Sequence, residues 1–139
     1  MAPPDRLGRH RRSGSWKTDR APYAYAAVAH EASRLVFTAG ACPLDQTGAI
    51  MCPGDVVGQA QHAMAHLVSA LLAAGAELSD VVRTTVYVAS PRRDDLAAAW
   101  GVVVRGRFGD HDAPATLLGV AILGYPDQLV EVDAIAALR

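Results

Sequence analysis

The chain has 139 residues, 51% of them hydrophobic and 19% charged, with a formal net charge of −1. That length fits one domain that buries its own core without disulfide or metal staples, and no apolar run reaches the ~18 residues of a membrane span. The near-neutral charge is a cancellation: residues 1–20 carry six basic and two acidic side chains, and residues 21–139 carry seven basic and twelve acidic. An acidic body lacks the clustered cations that phosphate contacts need, so nucleic acid is an unlikely partner.

Residues 1–20 hold Pro3, Pro4, Gly8 and Gly14 among few apolar side chains and read as a basic N-terminal arm; residues 21–139 read as the folded domain. The arginine-rich start is followed by no apolar stretch, unlike a secretory signal. Tyr23–His30 and Arg34–Ala39 read as strands joined by a polar turn at Glu31–Ser33. Gly40–Gly54, with Pro43, Gly48 and Pro53, reads as a loop with room for a short hairpin. Asp55–Ala74 is a strong amphipathic helix, with Val57, Ala60, Met64, Leu67, Val68 and Leu71 at three- and four-residue steps and Gly75 as its stop.

Asp80–Ala89 reads as a strand with Val82, Thr84, Val86 and Val88 on one face. Ser90–Pro91 should open a second helix, since serine caps free amides, proline is pre-shaped for a first turn, and Asp94 and Asp95 suit the positive end. Leu96, Trp100, Val103 and Phe108 form its apolar stripe, while Gly101 and Gly106 weaken it. Two strands, Ala115–Leu123 and Leu129–Leu138, complete a β-β-α-β-α-β-β order. The expected architecture is α+β, a mixed sheet with two helices on one face. Few charges interrupt Val, Ala and Ile in the strands, so burial of the other sheet face in an oligomer is expected.

Cys42 and Cys52 match no zinc or thioredoxin spacing and read as the reduced thiols of a cytoplasmic protein. One lysine against twelve arginines, and no asparagine, reads as base-composition bias. His62 and His66 stand one helical turn apart, but no third ligand is near and the HExxH pattern is absent. They share a face with Gln59 and Ser69, opposite the apolar stripe, which reads as a solvated helix face, and no metal site is expected.

Several segments in one register resemble the YjgF/Rid (reactive intermediate deaminase) family. They are Ser13–Trp16 (SGSW), Phe37–Gly40 (FTAG) followed by Pro43-Leu44-Asp45 and Gly48, Gln59, Leu72–Ala76 (LAAGA), Asp80–Val88 (DVVRTTVYV), Phe108-Gly109, Pro114–Val120 (PATLLGV) and Leu129–Ala136 (LVEVDAIA). Together they cover roughly residues 13–137, and the combination is more specific than any single piece. The resemblance implies a chorismate-mutase-like fold assembled as a homotrimer, with sheets lining a central barrel and a ligand cleft at each subunit interface. It further implies hydrolysis of reactive enamines and imines, such as 2-aminoacrylate, to a keto acid and ammonia without a cofactor.

Carried over residue by residue, the family's last-strand glutamate, which positions the attacking water, becomes Glu131. The aromatic residue near the first strand becomes Tyr23, and the glycine after the second strand becomes Gly40. The arginine that grips the substrate carboxylate falls at Ala115 or a neighbour within Asp112–Thr116, where no arginine stands. The serine before the glycine becomes Ala39, and the asparagine of the second helix becomes Trp100. These departures imply a divergent member whose small-molecule substrate is larger or uncharged, because nothing at Ala115 replaces a bidentate guanidinium.

Glu131 is thus the expected acid–base group. Tyr23, Gly40, Trp100, Ala115, Thr116 and Leu117 are the expected substrate contacts, with the Gly40 and Leu117 amides as electrostatic anchors. Trp100 and Tyr23 also suit plain packing. Three further candidates remain. Cys42 is a nucleophile if its thiol is activated and otherwise a small buried hydrophobe. His111, protonated, would partly replace the missing charge. Asp133, on the face of Glu131, suits a structural bond across a trimer interface. The rival readings are a non-catalytic small-molecule-binding trimer and a family member that cleaves RNA or inhibits translation.

Overall fold

A computed structural model describes the backbone of residues 13–17 and all of residues 24–139. Its centre is a four-stranded mixed sheet in the order β3-β6-β4-β5, built from Arg34–Phe37, Val130–Leu138, Val81–Val88 and Ala115–Gly119. The long strands β4 and β6 run antiparallel in the middle; β5 is parallel to β4, and β3 is antiparallel to β6. A parallel neighbour needs a crossover, and helix α2 (Arg93–Trp100) with its extension supplies it between β4 and β5. Helix α1 (Val56–Ala73) packs on β6 and α2 on β4 and β5, so both cover one sheet face.

The core lies between that face and the helices. Val130, Val132, Ala134, Ala136 and Leu138 of β6, and Val86 and Val88 of β4, meet Ala60, Met64, Leu67 and Leu71 of α1, all of them buried. Strand alternation sends Glu131, Asp133 and Ile135 to the opposite face. That open face leaves Leu35, Phe37 and Leu118 exposed, Phe37 by 69%. Among the described residues, no helix is long and apolar enough to cross a membrane.

Helix α1 forms where the apolar period places it. Asp55 caps it by accepting from the Gly58 amide at 3.0 Å. At the other end Gly75 adopts φ +81°, and the Ala76 amide reaches back to the Leu71 carbonyl at 2.8 Å, closing the left-handed cap. Val57 departs from the expected stripe: it is 41% exposed, and Val56 packs on the core instead. The face with Gln59 and His66 is also not simply solvated. Gln59 is fully buried, and His66 Nδ1 lies 2.7 Å from the Cys42 carbonyl oxygen, because the loops before β6 and α1 dock there.

Four other expectations need correction. Ser13–Lys17, within the expected arm, forms a strand (β1) antiparallel to β2 (Ala24–Ala29), so β2 spends its hydrogen bonds on β1 rather than on β3. Val81 replaces Val82 on the helix face of β4, because a bulge between Val81 and Arg83 sets an extra residue against β6. Helix α2 starts at Arg93, since Ser90 turns the chain first: its hydroxyl accepts from the Arg92 amide and donates to Asp95 at 2.6 Å. Strand β5 stops at Gly119, where a Cβ would lie 3.2 Å from the Ser90 carbonyl oxygen and against Leu96.

Past Trp100 the helix widens into a π-helical segment, Gly101–Arg107, closed by a bond from the Phe108 amide to the Val103 carbonyl at 3.2 Å. The 43–51 loop does hold a short hairpin, with Leu44 bridged to Ile50.

Candidate active site

Just beyond β3 the chain continues along β6, with Ala41 and Val132 exchanging backbone hydrogen bonds at 2.7 and 3.2 Å. This sets Gly40 directly under the side chain of Glu131. A Cβ on Gly40 would come within 2.5 Å of Glu131 Oε2, so only glycine leaves room for the carboxylate.

The other carboxylate oxygen is held from the side. The Cys42 thiol donates to Glu131 Oε1 at 3.1 Å. The Gln128 side-chain amide lies 3.2 Å from Cys42 Sγ, 3.4 Å from Glu131 Oε1 and 3.2 Å from the Val130 carbonyl oxygen. Gln128 is buried, and its orientation is fixed by the Tyr125 amide, which donates to its Oε1 at 3.2 Å. Burial, followed by the bond to Glu131 and that group's charge, raises the Cys42 thiol to a pKa of about 11.

Gln59 anchors the loop that carries Gln128. Its Oε1 accepts from the Leu129 amide at 2.7 Å, and its Nε2 donates to the carbonyls of Asp127 at 2.9 Å and Cys52 at 3.2 Å. Leucine at position 59 would leave these three backbone groups without partners. Gln59→Leu is therefore expected to destabilise the fold by about 2–4 kcal/mol in urea unfolding; a loss within measurement error would mean that the loop does not depend on this anchor.

Farther along the open face, Asp133 accepts from the Tyr87 hydroxyl at 3.0 Å, which gives it a structural partner inside its own chain. Burial first, then this bond and the Asp133 charge, raises the Tyr87 pKa. One row over, an Arg83 guanidinium nitrogen donates to Thr116 Oγ1 at 3.1 Å, bringing a cation from β4 to β5.

The expected site residues fall into two groups. Glu131, Gly40 and Cys42 meet on the open face, with Asp133 two residues along β6. Trp100, Ala115 and Leu117 meet elsewhere, lining with Arg93, Leu96, Ala97 and Thr116 an open cavity of about 600 Å³ between α2 and the edge strand β5, while the Thr116 hydroxyl turns to Arg83 on the open face. Leu117 packs on the core side of the sheet, opposite to Glu131. His111 joins neither group: its Nε2 lies 2.7 Å from the Val81 carbonyl oxygen, and its ring sits 6.2 Å from that of Phe108. Tyr23 lies outside the described residues.

Gln128 and Arg83 were missed by the sequence reading. Arg83 had a signal, as a charged residue alternating with buried ones in a strand. Gln128 had none, because its partner Cys42 is 86 residues away.

Residues 18–138 match the Endoribonuclease L-PSP family. Protein DfrA of Myxococcus xanthus is 36% identical over 124 residues, 86% of this chain and 91% of that protein. The 2-iminobutanoate/2-iminopropanoate deaminase of Escherichia coli is 31% identical over 109 residues, covering 76% and 80%. A Rid-family protein of unknown function, YyfB from Yersinia pestis, superposes with a TM-score of 0.81 at 26% identity, over 91% of this chain and 98% of that one.

Proposed function

Because the chain belongs to the YjgF/Rid family, we propose that it is a cofactor-free enzyme that hydrolyses a reactive imine or enamine, or acts on a related carbonyl intermediate. The observation that carries this reading is the carboxylate of Glu131, set above Gly40 with one oxygen held by Cys42 and Gln128. The similarity to an iminobutanoate deaminase supports the same reaction class.

In this reaction water adds to the imine carbon while the Glu131 carboxylate takes its proton. That proton passes to nitrogen and gives the carbinolamine; the carboxylate then takes the hydroxyl proton and hands it to the same nitrogen, so that the C–N bond breaks, ammonia leaves and the carbonyl forms. No redox change occurs, so water is the only co-reactant. A single proton acceptor close to both water and nitrogen suffices.

The cavity beside Trp100 and β5 supplies the apolar wall that a larger or uncharged substrate needs. In one chain it stands apart from Glu131, so the complete site is an intersubunit cleft of a homotrimer. The exposed Leu35, Phe37 and Leu118 on the open sheet face, and the edge of β5, unpaired among the described residues, support such assembly.

Ammonia release from imines generated in situ tests the proposal, using carboxylate-bearing and neutral imines on full-length protein whose mass is read by light scattering. The expected result is a three-chain particle that accelerates release from at least one imine. Tight binding without turnover would leave a binding trimer, and cleavage of RNA without imine turnover would place the chemistry elsewhere.

A further inference from the structure

We infer that Cys42 and Gln128 are positioning residues that fix the Glu131 carboxylate in one orientation, with Oε1 anchored and Oε2 presented over Gly40. The inference rests on the acid–base role proposed for Glu131 and adds the means by which that role is prepared.

The geometry has three parts. Two donors from separate loops converge on one oxygen: the Cys42 thiol at 3.1 Å and the Gln128 amide at 3.4 Å. The Gln128 amide also lies 3.2 Å from Cys42 Sγ, so the three side chains form a closed triangle. The donors are themselves fixed. Gln128 is held at its Oε1 by the Tyr125 amide, and the Cys42 backbone is held at its carbonyl by His66. A carboxylate restrained in this way loses little further freedom when a substrate arrives, which is the condition for efficient general-base action.

The same contacts separate positioning from nucleophilic attack. A thiol bonded to a carboxylate resembles a nucleophile with its base. However, burial and the neighbouring carboxylate raise this thiol to about 11, the opposite of the lowered pKa that activates a nucleophilic cysteine. Cys42 therefore stays protonated across the neutral range and serves as a hydrogen-bond donor.

The test has one arm that needs no substrate. With Cys52→Ser as the parent, so that one thiol reports, the rate of Cys42 alkylation is followed against pH. The parent thiol is expected to titrate near 11, and Glu131→Gln to lower that value, because the nearby negative charge is removed. A parent thiol that titrates near 9, or a titration unmoved by Glu131→Gln, would overturn the contact itself.

The second arm follows imine hydrolysis. Cys42→Ala and Gln128→Ala are each expected to lower kcat about 5- to 50-fold with KM nearly unchanged, and Cys42→Ser to restore most of the loss through its hydroxyl donor. Parent-like kcat in both alanine variants would overturn positioning. Abolition in Cys42→Ala without rescue by Cys42→Ser would assign a covalent role instead. If no imine is turned over, the acid–base reading fails, while the thiol titration still decides whether Glu131 is held.

Discussion

Glu131→Gln is expected to lower kcat for imine hydrolysis by about 10²–10⁴-fold, the usual weight of a general base, with little change in melting temperature. Glutamine has almost the same volume as glutamate and keeps an oxygen that can accept from Cys42 and Gln128. Its fit above Gly40 is preserved, and the variant should bind substrate nearly as the parent does. What it cannot do is take a proton from water. The loss should therefore fall on kcat rather than KM, as steady-state ammonia release would register. A variant within a few-fold of the parent would remove Glu131 from the chemistry.

Asp133 provides the contrast. It stands on the same strand face and is also a carboxylate, but its Oδ2 is already engaged by the Tyr87 hydroxyl. A common loss on neutralising any acid of this face would appear at both positions. The proton-acceptor role appears at Glu131 alone.

Helix α1 was legible in the sequence because its signals are local: a capping Asp55, an apolar period and a terminal Gly75 all lie within 21 residues. Strands β4 and β6 were legible for the same reason, since alternation records which side of a sheet is wet. Alternation does not record partners, however. The pairing of β2 with β1 joins two separate segments, which no local period encodes, and the bulge that exchanges Val82 for Val81 breaks the period at its own position.

Of the candidate site, the sequence pointed to Glu131 and Gly40 through the register of the resemblance, and the structure brings these two together. The site's supporting side chains follow a different logic. Gln59 looked like a polar position on a solvated helix face, yet it is buried because loop 127–129 brings two backbone groups to it. Trp100 suited both a core and a pocket; the structure leaves it half-buried at the mouth of the β5 cavity. Such placements are made by contacts across the fold, and residue type alone does not carry them.

Gly40→Ala isolates the placement of Glu131 from its chemistry, and is expected to lower kcat by about 10²-fold, the scale of a 1 Å misplacement. The added methyl would stand within 2.5 Å of Glu131 Oε2, far inside van der Waals contact, so one of the two must yield. The backbone at Gly40 is tied to β6 through Ala41 and Val132, whereas the carboxylate is the free end of a flexible side chain. The carboxylate is therefore the part that moves, and the fold should survive with a nearly unchanged melting temperature. Its displacement would also pull Oε1 away from Cys42. Two of the three influences that raise the Cys42 thiol, the bond and the nearby charge, would weaken together, leaving burial. Alkylation kinetics should then place the thiol below the parent value of about 11. A lost activity with an unmoved thiol would mean that the methyl acts on the substrate rather than on Glu131, and a retained activity would mean that the carboxylate tolerates other positions. Both effects together are expected only if the glycine is there to seat the carboxylate.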